Sequence, residues 1–190
     1  FIFFILTIDF LISSFFLKRT DTWKNDQWQD KYYRIKSDIY HHDLMPNIEV
    51  IESWGGKLKR KIITNSIGFR DSEQKKIDKS SNKKRILLIG DSFIEGSGYD
   101  YDYTLAGLLS SELGNEYEIL NSAVESYSPS IYFKKVQHYI SLGYKFDQAL
   151  IFLDLSDIYD ELFIKFDENE NIIVETPINK LSLEKKIKNR

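Results

Sequence analysis

Residues 85–93 read RILLIGDSF. The continuous apolar run Ile86–Ile89, with charge before it and a Gly90-Asp91-Ser92 turn after it, suits a parallel-sheet strand covered on both faces. In open α/β sheets chemistry gathers outside the carboxyl ends of the strands, so Ser92 stands where a nucleophile would. Downstream, Leu105, Leu108, Leu109 and Leu113 recur at helical spacing, and Gly114 suits the position after a helix end. Tyr117–Asn121 (YEILN) reads as a second strand ending in Asn121-Ser122-Ala123. Ile131–Leu142 reads as a helix with Tyr132, Val136, Tyr139 and Ile140 on one face, closed by Gly143. Phe146–Leu155 (FDQALIFLDL) is a third, strongly apolar strand followed by Ser156-Asp157. Strand–helix alternation of this kind predicts an α/β fold with a parallel sheet and right-handed crossovers. The three polar turns then emerge on one sheet edge. Ile172–Glu175 reads as a small β-element and Lys180–Lys188 as the start of a lysine-rich helix.

Working toward the N-terminus, Asp71–Lys84 (DSEQKKIDKSSNKK) is charged and serine-rich, the best linker candidate, which sets the α/β domain at residues 84–190. Ile51–Arg70 reads as a β-hairpin or two short strands around Gly55-Gly56, followed by ITNSIGFRD with its turn formers Asn65, Ser66 and Gly68. Residues 20–83 form an extension and linker, and 1–19 a hydrophobic helix. Within the latter, Phe1–Leu17 (FIFFILTIDFLISSFFL) falls a little short of the about 20 apolar residues that span a bilayer core, and Lys18-Arg19 close it. It reads as a membrane anchor, with Asp9 its costly residue. Trp23, Trp28, Tyr32 and Tyr33 fit an interfacial belt or the beginning of the soluble fold. The expected location is therefore a membrane, with the domain on its extracytoplasmic side.

The net charge of −3 gives nucleic acid no basis as a partner, and the 15% aromatic share argues against disorder. With no cysteine, disulfides, thiol catalysis and thiolate-bound metal are excluded. His41 and His42 are adjacent, and neighbours on a strand point to opposite faces, so a shared metal ion is not expected. No metal or cofactor is called for.

A serine nucleophile needs a base, an orienting acid and an oxyanion hole. The backbone N–H groups of Ser92 and Ala123 are the natural oxyanion donors, and the side chain of Asn121 or Ser156 offers a third. Asp91 is expected to bind turn amides, and Asp157 to cap the next helix or brace the Ser92 loop. Gly96-Ser97-Gly98 lacks the Gly-Lys-Ser/Thr of a phosphate loop. Tyr99, Tyr101 and Tyr103 are compatible with sugar stacking or with packing of the following helix.

Gly90–Phe93 (GDSF), directly after an apolar strand, resembles block I of the SGNH (GDSL-like) hydrolases. NSAVESYSP at 121–129 resembles that family's second block, N-x-G-x-x-G-Y-S, and LSDI at 155–158 falls where the third, G-x-N-D, is expected. TNSIGFRD resembles an extension ahead of GDSF in some bacterial membrane-linked members. The resemblance covers roughly residues 64–160. It implies a three-layer α/β/α, flavodoxin-like fold and a serine esterase, or a carbohydrate O-acyl hydrolase or acyltransferase, acting on an ester or acylated glycan. By position, Ser92 is the nucleophile and an oxyanion donor, Ala123 stands for the oxyanion glycine, and Ser156 for the block III asparagine. The family's D-x-x-H acid–base block has no counterpart after Ser92, where His138 is the only histidine. With Phe1 rather than Met at its start and a short sheet, the chain reads as a fragment lacking that block. The alternative is a non-catalytic SGNH-like module that binds glycan or scaffolds a membrane assembly.

Overall fold

The computed structural model describes residues 33–54, 58–162 and 164–174. The apolar Phe1–Leu17 stretch, the Trp23–Tyr32 belt and the Lys180–Lys188 helix lie outside these residues. No helix among the described residues is long and apolar enough to cross a membrane.

Two antiparallel pairs come first: β1 (Arg34–Ser37) with β2 (His41–Leu44), and β3 (Glu49–Trp54) with β4 (Leu58–Ile63). The second pair is the hairpin that the Gly55-Gly56 pattern predicts. The mixed α/β core follows, with β5 (Lys84–Ile89), α1 (Ser92–Glu95), α2 (Leu105–Leu113), β6 (Tyr117–Asn121), α3 (Pro129–Ser141), β7 (Gln148–Ile151) and α4 (Leu155–Glu161). Strands β8 (Ile164–Phe166) and β9 (Ile172–Val174) form a last antiparallel pair.

The sheet is parallel in the order β6-β5-β7, with Leu88 opposite Asn121 and Ile89 opposite Ile151. Alternation along β5 sends its side chains to two cores. Ile86 and Leu88 pack with Ile94, Ala106, Ile119 and Ala123, against Leu105 and Leu109 of α2. Leu87 and Ile89 pack with Ile131, Tyr132 and Tyr139 of α3, and with Tyr33, Leu44, Ile62 and Phe69 from the preceding hairpins and turn. Ile77 joins the same cluster. The segment after Asp71, irregular in backbone, is thus anchored at one apolar point. Hairpins and sheet share one core, so the extension positions the sheet edge rather than merely preceding it.

Element ends follow local chemistry. Pro129 begins α3 two residues ahead of the periodic apolar face, because a first-turn proline forfeits no helical hydrogen bond. Strand β7 is shorter than the apolar run 146–155: Asp154 caps α4 by accepting the N–H groups of Ser156 and Asp157, which pulls Leu155 into the helix. Strand β7 is also exposed along its length, Ile151 to 60%. Its only sheet partner among the described residues is β5.

Strand β2 docks on α3 through a buried ion pair. Lys135 Nζ lies 2.6 Å from Asp43 Oδ1 and sits 4.9 Å from the centroid of the Tyr127 ring. Burial pulls the ammonium below its ordinary range, and the Asp43 carboxylate opposes that shift.

Candidate functional site

The site is built where β5 stops. Asp91 caps α1, its Oδ1 accepting the Phe93 N–H at 3.0 Å. That places Ser92 at the first helical position, half-buried, with a backbone N–H for which the helix provides no acceptor. Helix α1 is a single turn closed by Gly96 at φ +80°, whose N–H returns to the Ser92 carbonyl. Among the described residues no side chain hydrogen-bonds the Ser92 hydroxyl.

Three carbonyls at the end of α1 find side-chain donors. Asn121 Nδ2 donates to Ile94 O at 2.8 Å, and Arg70 Nη1 donates to Glu95 O and Gly96 O at 2.7 and 2.6 Å. Arg70 also reaches Tyr99 O through Nη2, while its backbone N–H donates to Asn121 O. The arginine of the NSIGFRD turn therefore ties the Ser92 helix to the end of β6. Inside the turn, Asn65 Nδ2 donates to Asp71 Oδ2 at 3.0 Å, and Lys75 pairs with Asp71.

Glu95, one turn beyond Ser92, is fully buried. Its carboxylate accepts two hydrogen bonds from Arg34 Nη2, at 2.8 and 3.1 Å, and one from the Glu125 N–H at 2.5 Å. Burial alone would push this carboxyl up, but Arg34 and these hydrogen bonds outweigh it and hold it below the ordinary glutamate range.

The expected oxyanion donors are distributed unevenly. The Ala123 N–H already donates to Asn121 Oδ1 at 3.2 Å, and the Asn121 amide is committed to Ile94 O. Ser156 is exposed in the first turn of α4, and its hydroxyl donates to Asp154 Oδ1 at 2.6 Å. Asp157 completes a reciprocal cap with Asp154 and accepts from Tyr132 OH at 3.1 Å. Strand pairing does bring Asp91, at the end of β5, beside the end of β7. Carboxylate oxygens of Asp91, Asp154 and Asp157 lie within 4.8 Å of one another, an arrangement that a cation could bridge. Burial and the neighbouring carboxylates push Asp91 up against the opposing Phe93 N–H. Asp157 is raised by burial first, with Asp154 adding to it.

The histidines are engaged elsewhere. His138 packs edgewise on Tyr139 and against Tyr40. His41 and His42 depart from strand alternation: φ of +82° at His41 turns its ring back, so the two Nδ1 atoms lie 2.7 Å apart. His42 Nε2 faces Glu125 O at 2.8 Å and must carry a proton there, so His42 Nδ1 accepts the proton of His41 Nδ1.

Sequence reading located Ser92, Asp91, Asn121 and Asp157 at the sheet edge but passed over Arg34, Glu95, Arg70 and Asp154. Asp154 had a legible signal, a cap residue three positions before another carboxylate. The other three carried none, because their partners lie far away in sequence. The chain matches no protein-family model and no curated protein.

Proposed function

We propose that the chain carries the nucleophile of an SGNH-type serine ester hydrolase or O-acyltransferase, built on a three-layer, flavodoxin-like α/β/α sheet and held at a membrane by its apolar N-terminus. The observation that carries this reading is the place of Ser92: first residue of a one-turn helix, at the carboxyl end of the central strand of a parallel sheet. Ser92 Oγ attacks an ester carbonyl, the alcohol leaves with a proton, and the acyl-Ser92 ester is then cleaved by water or by an acceptor hydroxyl. The Ser92 N–H stabilises the developing oxyanion. An Ala123 N–H shared with Asn121 Oδ1 would first have to be released, and loss of one such donor typically costs about 10²–10³ in rate. The base that accepts the Ser92 proton comes from a residue beyond those described.

The engagement of all three histidines away from Ser92 favours the second reading, a non-catalytic module of the same fold that binds glycan. A fluorophosphonate probe separates the two. The full chain in its natural context labels at Ser92 if the nucleophile is active, and Ser92→Ala abolishes the label. Equal labelling of wild type and variant would overturn the catalytic reading.

A further inference from the structure

A cleft of about 420 Å³ opens between the β1–β2 hairpin and the Glu125–Ser126 turn, lined by Arg34, Ile35, Lys36, His41, His42, Glu125 and Ser126. Its size lies within the range of small-molecule sites, about 300–1,000 Å³. Two independent features mark it. Of four non-glycine residues with positive φ among those described, two line this cleft: His41 at +82° and Ser126 at +64°. Strained backbone of this kind persists only where surrounding structure enforces it. The second feature is Arg34. Its Nη2 is used by Glu95 and Glu125, yet Nε and Nη1 are buried with no hydrogen-bond partner, on a side chain only 12% exposed. Unpartnered buried donors cost about 1–3 kcal/mol and call for an acceptor.

Charge points to what that acceptor is. Arg34 and Lys36 line the cleft and Arg70 stands behind it, against the carboxylates of Glu95 and Glu125, which leaves one cation in excess. We propose that this cleft binds a small organic oxyanion, a carboxylate or phosphate group whose apolar body lies on Ile35. Arg34 is the anchor, through a guanidinium that Glu95 holds in place. Lys36, at the rim, supplies the second charge, since its only ion-pair partner is Asp38 at 3.5 Å and both side chains are largely exposed. The Ser126 hydroxyl adds a donor. The paired imidazoles, locked onto Glu125 O, form a rigid wall that keeps the turn in place. The site does not depend on Ser92 chemistry, although Glu125 follows Ala123 by two residues on the same turn.

The test uses the full chain labelled with ¹⁵N-arginine, titrated in parallel with inorganic phosphate, acetate and, at matched ionic strength, sodium chloride. The Arg34 Nε–H resonance should move saturably with at least one oxyanion and not with chloride. The oxyanion that saturates identifies the chemistry. Arg34 substitutions would leave Glu95 buried without its cation, so the variants are Lys36→Glu and Ser126→Gly, the glycine keeping the positive φ. Lys36→Glu should weaken binding about tenfold or more, the scale of one charge-assisted contact, with an unchanged circular dichroism spectrum. Ser92→Ala should bind as wild type does, so loss of Ser92 labelling and loss of oxyanion binding report separately. A response no different from chloride, or equal affinity in Lys36→Glu, overturns the proposal.

Discussion

At the scale of single residues, the surroundings of Ser92 are held by charges whose partners come from elsewhere in the chain. Glu95 meets an arginine 61 positions away, and Arg70 reaches a carbonyl 25 positions away. A carboxylate on a one-turn helix has no local reason to be buried, so its environment was illegible before the chain was folded. His42 illustrates the consequence for stability. Burial pulls its imidazole down to about 4, with the hydrogen bond to Glu125 O opposing. Between its ordinary value near 6.5 and that value, the unfolded chain takes up a proton that the native state refuses. The contribution is therefore intact above about pH 6.5 and shrinks as pH falls, by about 1.4 kcal/mol per pH unit. Urea midpoints of wild type and His42→Gln, measured between pH 7.5 and 4.5, should converge on acidification. A gap that stays constant would show that His42 is not refused its proton.

Among elements, α1 is the one on which the candidate site depends, and it is too short to be stable by itself. Its cap at Asp91 was readable from the Gly-Asp-Ser pattern, since a carboxylate just ahead of a helix accepts the orphan N–H groups. Its far end was not readable. Gly96 closes it at φ +80°, where a Cβ would run into the Thr104 side chain that caps α2. Gly96→Ala combines a left-handed backbone with this collision and should cost about 2–4 kcal/mol in urea unfolding. Because Arg70 also binds Gly96 O, the same substitution should lower the rate of Ser92 labelling wherever labelling is seen. A variant as stable as wild type would mean that α1 ends differently from this geometry.

Across the whole molecule, protection should follow the layering of the sheet. Strand β5 is central, with Leu87 and Leu88 almost fully buried, whereas β7 pairs on one side and is exposed. Amide hydrogen exchange should be slowest at Ile86–Ile89 and markedly faster at Gln148–Ile151, in line with the link between local burial and opening free energy. Equal protection of the two strands would show β7 covered in solution. The exposed side chains of Leu153, Leu155 and Ile158 continue the same apolar surface beyond β7.

What the sequence determined by itself was the order of the elements, the parallel strand–helix alternation and the arrival of Gly90-Asp91-Ser92 at a sheet edge. These rest on periodicity, caps and turn residues, which act over a few positions and need no knowledge of the rest of the chain. Only the tertiary structure decided which charges meet: Arg34 with Glu95, Lys135 with Asp43, and Asp91 with Asp154 and Asp157. It also turned His41 onto His42 against the alternation of the strand, and engaged the Ala123 N–H with Asn121. Such pairings depend on how hairpins, helices and strand ends dock. Docking is set by burial summed over the whole core, a quantity that no short stretch of sequence contains.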